Sequence, residues 1–315
     1  MKVLVTGASG FVGHAICARL VTQGVNVAGT VRRTPTQLLQ GVDYHAVGDL
    51  DVNTDWHDAF IGVDVIIHCA ARVHVMREMA ADPLGAFRAA NVAGTEQLAR
   101  QASAAGVRRI IFLSSVKVNG EGSSVAYREI DPPAPQDAYG ISKYEAELGL
   151  RKVAAETGMS AVVVRSPLIY GPGVKANFQA LMRALVRGIP LPLGAIHNRR
   201  SMVALDNVVD LIAACIEHPA AADETFLVSD GEDLSTTEVI RRLARAMCCP
   251  ARLIPMPAMM LMAGATLLGK REVARRLCGT LQVNITKARE VLGWVPSVSV
   301  DEGLCRTAEH YMQQQ

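Results

Sequence analysis

The chain opens with a stretch, KVLVTGASGFVG from Lys2 to Gly13, that sets its class of fold. The first five residues are a short apolar run, which is typical of a central strand in a parallel sheet. Three glycines follow at once, and a helical pattern begins after them. Gly7 permits a tight turn, Gly10 lets the backbone approach a pyrophosphate, and Gly13 lets the helix pack closely on the strand.

The surrounding pattern makes this glycine motif specific. A strand at residues 26–31 follows the helix, and a strand–helix–strand unit of this kind binds a dinucleotide with its phosphates at the helix N-terminus. Apolar runs at 43–47, 63–68, 109–113 and 161–165 predict further strands with helices between them. This alternation predicts an α/β fold, a Rossmann-type, doubly wound parallel sheet with helices on both faces.

Composition excludes several classes of function. The chain has 315 residues, 50% of them hydrophobic, and a net charge of +2, which is too balanced for a nucleic-acid surface. Its seven cysteines are scattered without CxxC spacing, so we expect neither a disulfide framework nor a metal site. Eight histidines without clustered spacing also argue against a bound metal.

The membrane-related expectations rest on two segments. A strand pattern starts at residue 2, which leaves no room for a signal peptide, and together with the unpaired cysteines it predicts a cytoplasmic protein. The apolar run from Met256 to Gly269 is too short and too broken by glycine and proline to span a bilayer. We expect it to form a buried helix, with a peripheral membrane contact as the alternative.

The residues at the end of the second strand bear on the choice of cofactor. An NAD-binding domain usually has an acidic side chain there for the ribose hydroxyls, but this chain has Arg32 and Arg33. Two guanidinium groups suit a 2′-phosphate by charge and geometry, which favours NADP(H). The alternative is that both arginines are simply solvated, in which case NAD(H) is possible.

Tyr139 and Lys143 form the candidate catalytic pair. Residues four apart share one face of a helix, so a phenol and an ammonium there point into the same space. A fixed cation favours the phenolate and brings the tyrosine closer to acid–base use at neutral pH. The spacing alone also occurs on ordinary solvated helices, but Ser115 at the end of the preceding strand completes a proton-handling group.

Together these motifs resemble the extended short-chain dehydrogenase/reductase family, in its nucleotide-sugar epimerase/dehydratase branch. The resemblance covers nearly the whole chain. The motifs that carry it are Gly7/Gly10/Gly13, Asp49-Leu50, Asn91-Val-Ala-Gly-Thr95, Ser114-Ser115, Tyr139/Lys143, Arg165-Ser-Pro-Leu-Ile-Tyr-Gly-Pro-Gly173 and Leu292-Gly-Trp-Val-Pro296.

The resemblance implies roles for individual residues and a division of the chain. Ser115, Tyr139 and Lys143 match the catalytic triad, in which the lysine lowers the tyrosine pKa. The implied cofactor-binding residues are Gly7, Ser9, Gly10, Phe11, Val12, Gly13, Arg32, Arg33, Asp49, Leu50, Ala70, Ala71, Asn91, Ser114, Tyr139, Lys143 and Pro167. The implied substrate-binding residues are Arg72, Ser115, Lys117, Asn177 and Arg200. The expected domains are a cofactor domain at 1–165, joined again by 201–230, and a smaller mixed α/β substrate lobe at 166–200 and 231–315.

Departures from the family pattern select among its reactions. Dehydratases have an Asp-Glu pair where this chain has Val116 and Lys117, so 4,6-dehydration lacks its acid and base. Lys117 also does not replace the cysteine of the 3,5-epimerising members. Two reactions remain, 4-epimerisation with a retained NAD and 4-keto reduction with a dissociable NADPH. Leu168 and Asn119 stand where many epimerases have asparagine and tyrosine, which favours the reductase.

A bacterial subgroup that makes surface-polysaccharide (O-antigen or capsule) sugars is similar in three further strings. These are Ser114 to Glu121, Arg72 to Met76 and Leu191 to Arg200. The similarity predicts NADPH-dependent reduction of the C4 ketone of a UDP-4-keto-6-deoxy-N-acetylhexosamine, in a homodimer. The alternatives are a UDP-sugar 4-epimerase with tightly bound NAD, and a reductase or isomerase of an apolar ketone such as a steroid or flavonoid.

Overall fold

The structure is a computed structural model that describes residues 1–33, 39–73 and 82–314. His74 and the rest of the string that ends at Met76 lie outside these residues. The strands are β1 (Lys2–Thr6), β2 (Asn26–Val31), β3 (Val42–Ala46), β4 (Val65–His68), β5 (Arg109–Ser115), β6 (Ser160–Ser166), β7 (Leu168–Tyr170), β8 (Arg200–Ala204), β9 (Thr225–Leu227) and β10 (Asp233–Leu234).

The helices alternate with these strands up to β6 and then dominate the C-terminal part. They are α1 (Phe11–Thr22), α2 (Pro83–Arg88), α3 (Gly94–Ala104), α4 (Ala138–Thr157), α5 (Ala176–Val186), α6 (Leu205–Glu217), α7 (Thr236–Ala246), α8 (Ala258–Leu267), α9 (Arg271–Cys278), α10 (Thr286–Leu292) and α11 (Val300–Gln313). A π-helical turn, Ala89–Ala93, joins α2 to α3.

The main sheet has seven strands in the order β3-β2-β1-β4-β5-β6-β9, and all its pairings are parallel. The chain reverses its direction of winding between β1 and β4. In sheets of this kind, ligands bind outside the carboxyl ends of the strands at that reversal. The predicted Rossmann-type, doubly wound fold is therefore confirmed.

Successive side chains of β1 point to opposite faces of the main sheet and so enter two different hydrophobic clusters. Val3 and Val5 belong to the hydrophobic cluster on one face, where α1 and α6 pack. Leu4 points to the opposite cluster, which includes Leu98 from α3 and Leu150 from α4. Because successive side chains of a strand point to opposite faces, one apolar run supplies both cores.

A smaller three-stranded sheet, in the order β10-β8-β7, accompanies the main one. Its own core includes Tyr170, Phe178, Leu243 and Leu304, contributed by β7 and by helices α5, α7 and α11. Ser235 and Glu238 have the spacing of a capping box, and helix α7 begins there with both reciprocal hydrogen bonds present.

The C-terminal half of the chain is shared between the two sheets. Strand β8 lies in the small sheet, whereas α6 packs on α1 and β9 pairs with β6 in the main sheet. Helix α10 packs against β9, and Ala288 of that helix lies in the main-sheet core. The domain division expected from the sequence stays a prediction.

Asn207, at the start of α6, ties the C-terminal segment to this framework. Its side chain is fully buried, and its Nδ2 donates to Asp230 Oδ1 at 2.7 Å and to the Val298 carbonyl at 2.8 Å. Its Oδ1 accepts from the backbone N–H groups of Ser297 and Val298, each at 3.0 Å. One amide side chain thus satisfies polar groups of two other segments, Asp230 and residues 297–298.

The segment from Met256 to Gly269 differs from its expectation as a buried helix. Helix α8 forms there, but none of its residues is buried, and Met259 and Leu267 are strongly exposed. Only one side packs inward, through Ala258 and Leu261 at the edge of the small-lobe core. Among the described residues, no helix is both long and apolar enough to cross a membrane.

Replacing Asn207 with alanine is expected to destabilise the protein strongly. Asn207→Ala leaves buried backbone groups of 297–298 without partners, so the free energy of unfolding should fall by about 2–3 kcal/mol. Urea denaturation followed by circular dichroism measures this change. Asn53→Ala, at an exposed position, is the control and should change stability by less than about 0.5 kcal/mol. Equal effects of the two substitutions would contradict the assigned role.

Candidate active site

The loop between β1 and α1 forms a cradle suited to a phosphate group. Gly7 adopts a positive φ of 67°, and Gly10 N–H donates to its carbonyl at 2.8 Å. A Cβ at Gly7 would come within 3.0 Å of the Ala70 backbone, and one at Gly13 would overlap the Gly7 carbonyl oxygen. Since Gly10 is the N-cap of α1 and carries no side chain, the first N–H groups of the helix remain available to an anion. These residues therefore fit a bound dinucleotide.

At the end of β2, the positive charge of Arg32 has a negative partner that the sequence did not predict. Arg32 Nε lies 3.3 Å from Asp49 Oδ1, and both side chains are exposed. Arg33 is also exposed. Leu50 lies against α3, since a Cβ on Gly94 would come within 2.7 Å of it. The carboxylate of Asp49 partly offsets the positive potential that would attract a 2′-phosphate.

His68 organises the loop that follows β4, and sequence reasoning did not assign it a role. Its two ring nitrogens lie 2.6 Å from Thr6 Oγ1 and 3.0 Å from Thr95 Oγ1. Burial, together with the charge of Lys143, lowers the pKa of His68 to about 3, so the ring is neutral. Thr6 Oγ1 also accepts from Ala70 N–H at 3.1 Å, which holds the 69–71 loop beside the Gly7 turn.

Asn91, in the π-helical turn, connects that loop to the catalytic helix. Its Oδ1 accepts from Arg72 N–H at 2.8 Å, and its Nδ2 donates to the Arg72 carbonyl and to Ser142 Oγ, both at 3.0 Å. Ser142 in turn donates to the Tyr139 carbonyl at 2.8 Å. Asn91 therefore fixes the backbone between Tyr139 and Lys143.

Helix α4 carries both members of the candidate catalytic pair, Tyr139 and Lys143, at the predicted spacing of one turn. Asp137 is the N-cap, and its Oδ1 accepts from Gly140 N–H at 2.7 Å. The ring of Tyr139 contacts Phe87 edge-on, with centroids 6.1 Å apart. The turn that follows Ser115 packs against the start of α4, because a Cβ on Gly140 would lie 3.0 Å from the Lys117 carbonyl.

The protonation states of the pair differ from the sequence expectation. Burial, reinforced by the charge of Asp137, raises the pKa of Tyr139 to about 12. Burial lowers the pKa of Lys143 to about 7, although the Glu147 carboxylate opposes that change. The sequence predicted that the lysine would lower the tyrosine pKa; in this protein the cost of burying both charges dominates instead.

A buried ion pair joins helix α4 to strand β6. Arg165 Nη2 lies 2.6 Å from Glu147 Oε2, and both side chains are almost completely buried. Ser114 Oγ donates to Glu147 Oε1 at 2.5 Å. Ser114 of β5 therefore points toward this ion pair. The ion pair is one helical turn beyond Lys143 and supplies the negative charge that opposes its neutralisation.

A cavity of about 450 Å³ opens beside Tyr139. Its lining includes Phe87 from α2, Glu121, and three residues of α9. Lys117 is held near this cavity by Glu121, at 2.9 Å, and by Asp137, and its contact with substrate stays a prediction. The sequence analysis did not single out the α9 residues: Glu272, Arg275 and Arg276. Their only local signal is a pair of adjacent arginines after an apolar run.

Three other predicted substrate residues are Arg72, Arg200 and Asn177, and each has a different environment. The Arg72 guanidinium lies 5.6 Å from the Phe87 ring centre, next to the cavity wall. Arg200 Nη1 donates to the carbonyls of Arg276, at 2.7 Å, and Gly279, at 3.1 Å, so it anchors the C-terminal end of α9. Asn177 is exposed in the first turn of α5.

Five further predicted positions lie along the carboxyl edge of the main sheet. Pro167 is buried directly after β6, and Ala71 follows Ala70 in the loop after β4. Ser9 is exposed in the phosphate cradle, where Phe11 and Val12 begin α1. Across residues 1–33, 39–73 and 82–314, no three His, Cys, Asp or Glu side chains are grouped as a metal site requires.

Comparison with known proteins identifies the family. The model of the NAD dependent epimerase/dehydratase family matches residues 3–229. The chain belongs to this family. The matched span contains the glycine cradle and the residues Ser115, Tyr139 and Lys143, and the family predicted from the sequence motifs is confirmed. The protein is accordingly an NAD(P)-dependent enzyme of the epimerase/dehydratase type.

Proteins that are similar to this chain over nearly its full length include epimerases. A UDP-glucose 4-epimerase of Vibrio cholerae is 44% identical over 315 residues, which cover 99% of this chain and 96% of that protein. An Escherichia coli O157:H7 enzyme, named N-acetyl-alpha-D-glucosaminyl-diphospho-ditrans,octacis-undecaprenol 4-epimerase, is 27% identical and covers 98% of this chain and 95% of its own. The structure of a Bacillus cereus UDP-glucuronic acid 4-epimerase in complex with NAD matches with a TM-score of 0.82 at 23% identity, covering 99% and 97% of the two chains. At that identity the structural match supports the fold.

Lys143→Met is expected to change how stability depends on pH. The folded-state pKa of Lys143, about 7, lies below its unfolded value of 10.5, so unfolding takes up a proton between these pH values. The stability contributed by this site therefore rises with pH in that window, by up to about 1.4 kcal/mol per pH unit. The variant lacks this rise.

The measurement is the difference in unfolding free energy between Lys143→Met and the unmodified protein at pH 7, 8 and 9. The advantage of the variant should shrink steadily as the pH increases. Taking the difference cancels the titration of groups that Lys143 does not influence, and Lys143→Met combined with Cys69→Ser removes the contribution of Cys69, whose pKa the charge of Lys143 lowers. A difference that is constant with pH would show that Lys143 keeps an ordinary pKa.

Proposed function

We propose that this protein is a UDP-sugar 4-epimerase that retains NAD(H) through the catalytic cycle. The observation that carries the proposal is the 44% identity, over nearly the whole of both chains, to a protein named UDP-glucose 4-epimerase. The buried residues Tyr139 and Lys143, with Ser115 at the end of β5, are residue types that this reaction and a 4-keto reduction can both use. This is the alternative that the sequence analysis ranked second.

Tyr139 and Ser115 have different roles at C4 of the sugar. NAD, which the glycine cradle would hold, would supply the acceptor for the hydride of C4 and the donor for its return to the other face of the ring. Tyr139 takes the proton of the 4-hydroxyl and later gives it back, while Ser115 Oγ donates a hydrogen bond to the same oxygen. At neutral pH Tyr139 is protonated, which suits the returning step; the oxidising step needs the phenolate, the costly form in this buried site.

The cofactor and the diphosphate have their own candidate ligands. The glycine cradle and the start of α1 would hold the pyrophosphate of NAD. Arg276 lines the cavity beside Tyr139 and carries a guanidinium that suits a sugar diphosphate. Arg200, whose guanidinium is committed to backbone carbonyls of 276 and 279, would position Arg276. Asn177 remains a proposed ligand of the diphosphate.

A second candidate function is NADPH-dependent 4-keto reduction of a UDP-4-keto-6-deoxy-N-acetylhexosamine, in surface-polysaccharide biosynthesis. The observation that favours it is the position of Arg32 and Arg33 at the end of β2, where no acidic residue follows directly. The pairing of Arg32 with Asp49 weakens this argument, since it sets a carboxylate near the proposed 2′-phosphate. For either function we propose a cytoplasmic homodimer, a state that light scattering on the purified protein would test.

Nucleotide content and substrate assays separate the two functions. For the epimerase, the freshly purified protein should contain about one tightly held NAD per chain and interconvert UDP-glucose and UDP-galactose without net oxidation of added cofactor. For the reductase, it should be empty or loaded with NADP and should oxidise NADPH when given the 4-keto sugar. Thermal stabilisation by UDP is expected in both cases, because UDP binds only the folded protein. Absence of that stabilisation would instead favour an apolar ketone as substrate.

Tyr139→Phe is expected to reduce turnover by about 10²–10⁴-fold, because the variant loses the proton that the phenol exchanges with the substrate. Bound NAD should remain close to the unmodified level, since the ring still packs against Phe87. The readouts are the initial rate and the nucleotide released on denaturation. Tyr144→Phe, on the same helix, is the control and should keep full activity. Unchanged turnover in Tyr139→Phe would rule out the catalytic assignment.

A further inference from the structure

Helices α8 and α9 form a helical hairpin that projects from the small lobe. Met259 is 85% exposed, Leu267 is 88% exposed and Leu268 is 75% exposed. Met259, Ala263 and Leu267 are spaced four residues apart, so they lie on one face of α8. Isolated exposed leucines are ordinary on protein surfaces, but a continuous apolar face marks a place where something binds.

Positive charge borders this apolar face. Lys270 and Arg271 are exposed and follow Leu268 after a single glycine. Residues 258–278 contain four basic side chains and one acidic one, although the whole chain is nearly neutral. Arg275 pairs with that acid, Glu272, at 2.8 Å, which leaves Lys270 and Arg271 as the charges nearest to the apolar tip. Exposed methionine and leucine beside lysine and arginine match the chemistry of an anionic bilayer surface.

A second copy of the chain fits this face less well. A two-fold contact would place the same patch on both partners. Lys270 and Arg271 of one copy would then approach the basic residues of the other, and like charges repel. The ten-residue α8 is also too short to span a bilayer, so insertion stops at the interface.

We propose that the α8–α9 hairpin docks this enzyme on the surface of an anionic phospholipid bilayer. Met259, Leu267 and Leu268 enter the boundary between headgroups and acyl chains, while Lys270 and Arg271 meet the lipid phosphates. Because Arg275 and Arg276 of the same hairpin line the cavity beside Tyr139, docking holds that cavity close to the membrane. The proposal is independent of which sugar the enzyme acts on.

Vesicle co-sedimentation of the full-length protein tests the docking. Vesicles of equal parts phosphatidylglycerol and phosphatidylcholine should bind the protein at least about tenfold more tightly than vesicles of phosphatidylcholine alone, and high salt should weaken the binding. Leu267→Gln combined with Leu268→Gln should reduce binding about tenfold, and so should Lys270→Gln combined with Arg271→Gln. These four side chains are exposed, so the variants should keep the thermal midpoint of the unmodified protein.

A matched control replaces exposed apolar residues elsewhere. Val52→Gln combined with Ile61→Gln, on the cofactor-domain side, should leave vesicle binding unchanged. Molecular mass in solution is measured for every variant. The proposal is overturned if the protein ignores anionic vesicles, if the control loses as much binding as the hairpin variants, or if Leu267→Gln/Leu268→Gln lowers the mass, which would make the face a contact between copies. Epimerase and reductase assays on soluble substrates remain interpretable in each case.

Discussion

The burial of Lys143 is the constraint around which the catalytic side of the sheet is arranged. An ammonium removed from water is costly unless nearby groups compensate. Its Nζ lies 3.8 Å from the centre of the Phe112 ring, and the Glu147 carboxylate stands one turn away on the same helix. Glu147 then needs partners of its own, which Arg165 and Ser114 supply. The result is a lysine balanced between its charged and neutral forms near neutral pH.

Asp137 and the cations beside it influence the pKa of Tyr139. The Asp137 carboxylate caps α4 and raises the pKa of Tyr139. Burial would raise the pKa of Asp137 itself, but hydrogen bonds and charge from Lys117, with help from Arg276, hold it below its ordinary value. Lys117, predicted to bind substrate, therefore influences Tyr139 through Asp137 and also pairs with Glu121, which lines the cavity.

The parts that sequence predicts well are those encoded within a few neighbouring residues. The glycine cradle, the apolar runs and the capping box at Ser235 are local patterns, and the elements form within a few residues of the predicted bounds. Pairings between distant residues were not predictable in the same way. Glu147 and Arg165 are 18 residues apart, and Thr6 and His68 are 62 apart, so only the fold brings them together.

Helix α8 shows a different limit of sequence reasoning. Hydropathy indicates which side chains avoid water, but it does not say whether the chain itself can cover them. Here the small lobe already has a closed core of aromatic and leucine side chains, and only Ala258 and Leu261 of α8 reach its edge. The pKa of Tyr139 was mispredicted for a related reason, because spacing alone does not report the depth at which both charges are buried.

The charge arrangement also bears on the choice between epimerisation and reduction. Epimerisation returns the proton that Tyr139 removes, so a full cycle needs no net proton. Reduction consumes one proton per turnover, and that proton must reach Tyr139 from outside. Asp137, the carboxylate next to Tyr139 along the chain, has a lowered pKa and so carries no proton at neutral pH, which makes it a poor donor in a relay. Epimerisation starts from the Tyr139 phenolate, which burial disfavours, but the proton that it takes from the sugar goes back in the second step, so the cycle needs no proton from outside.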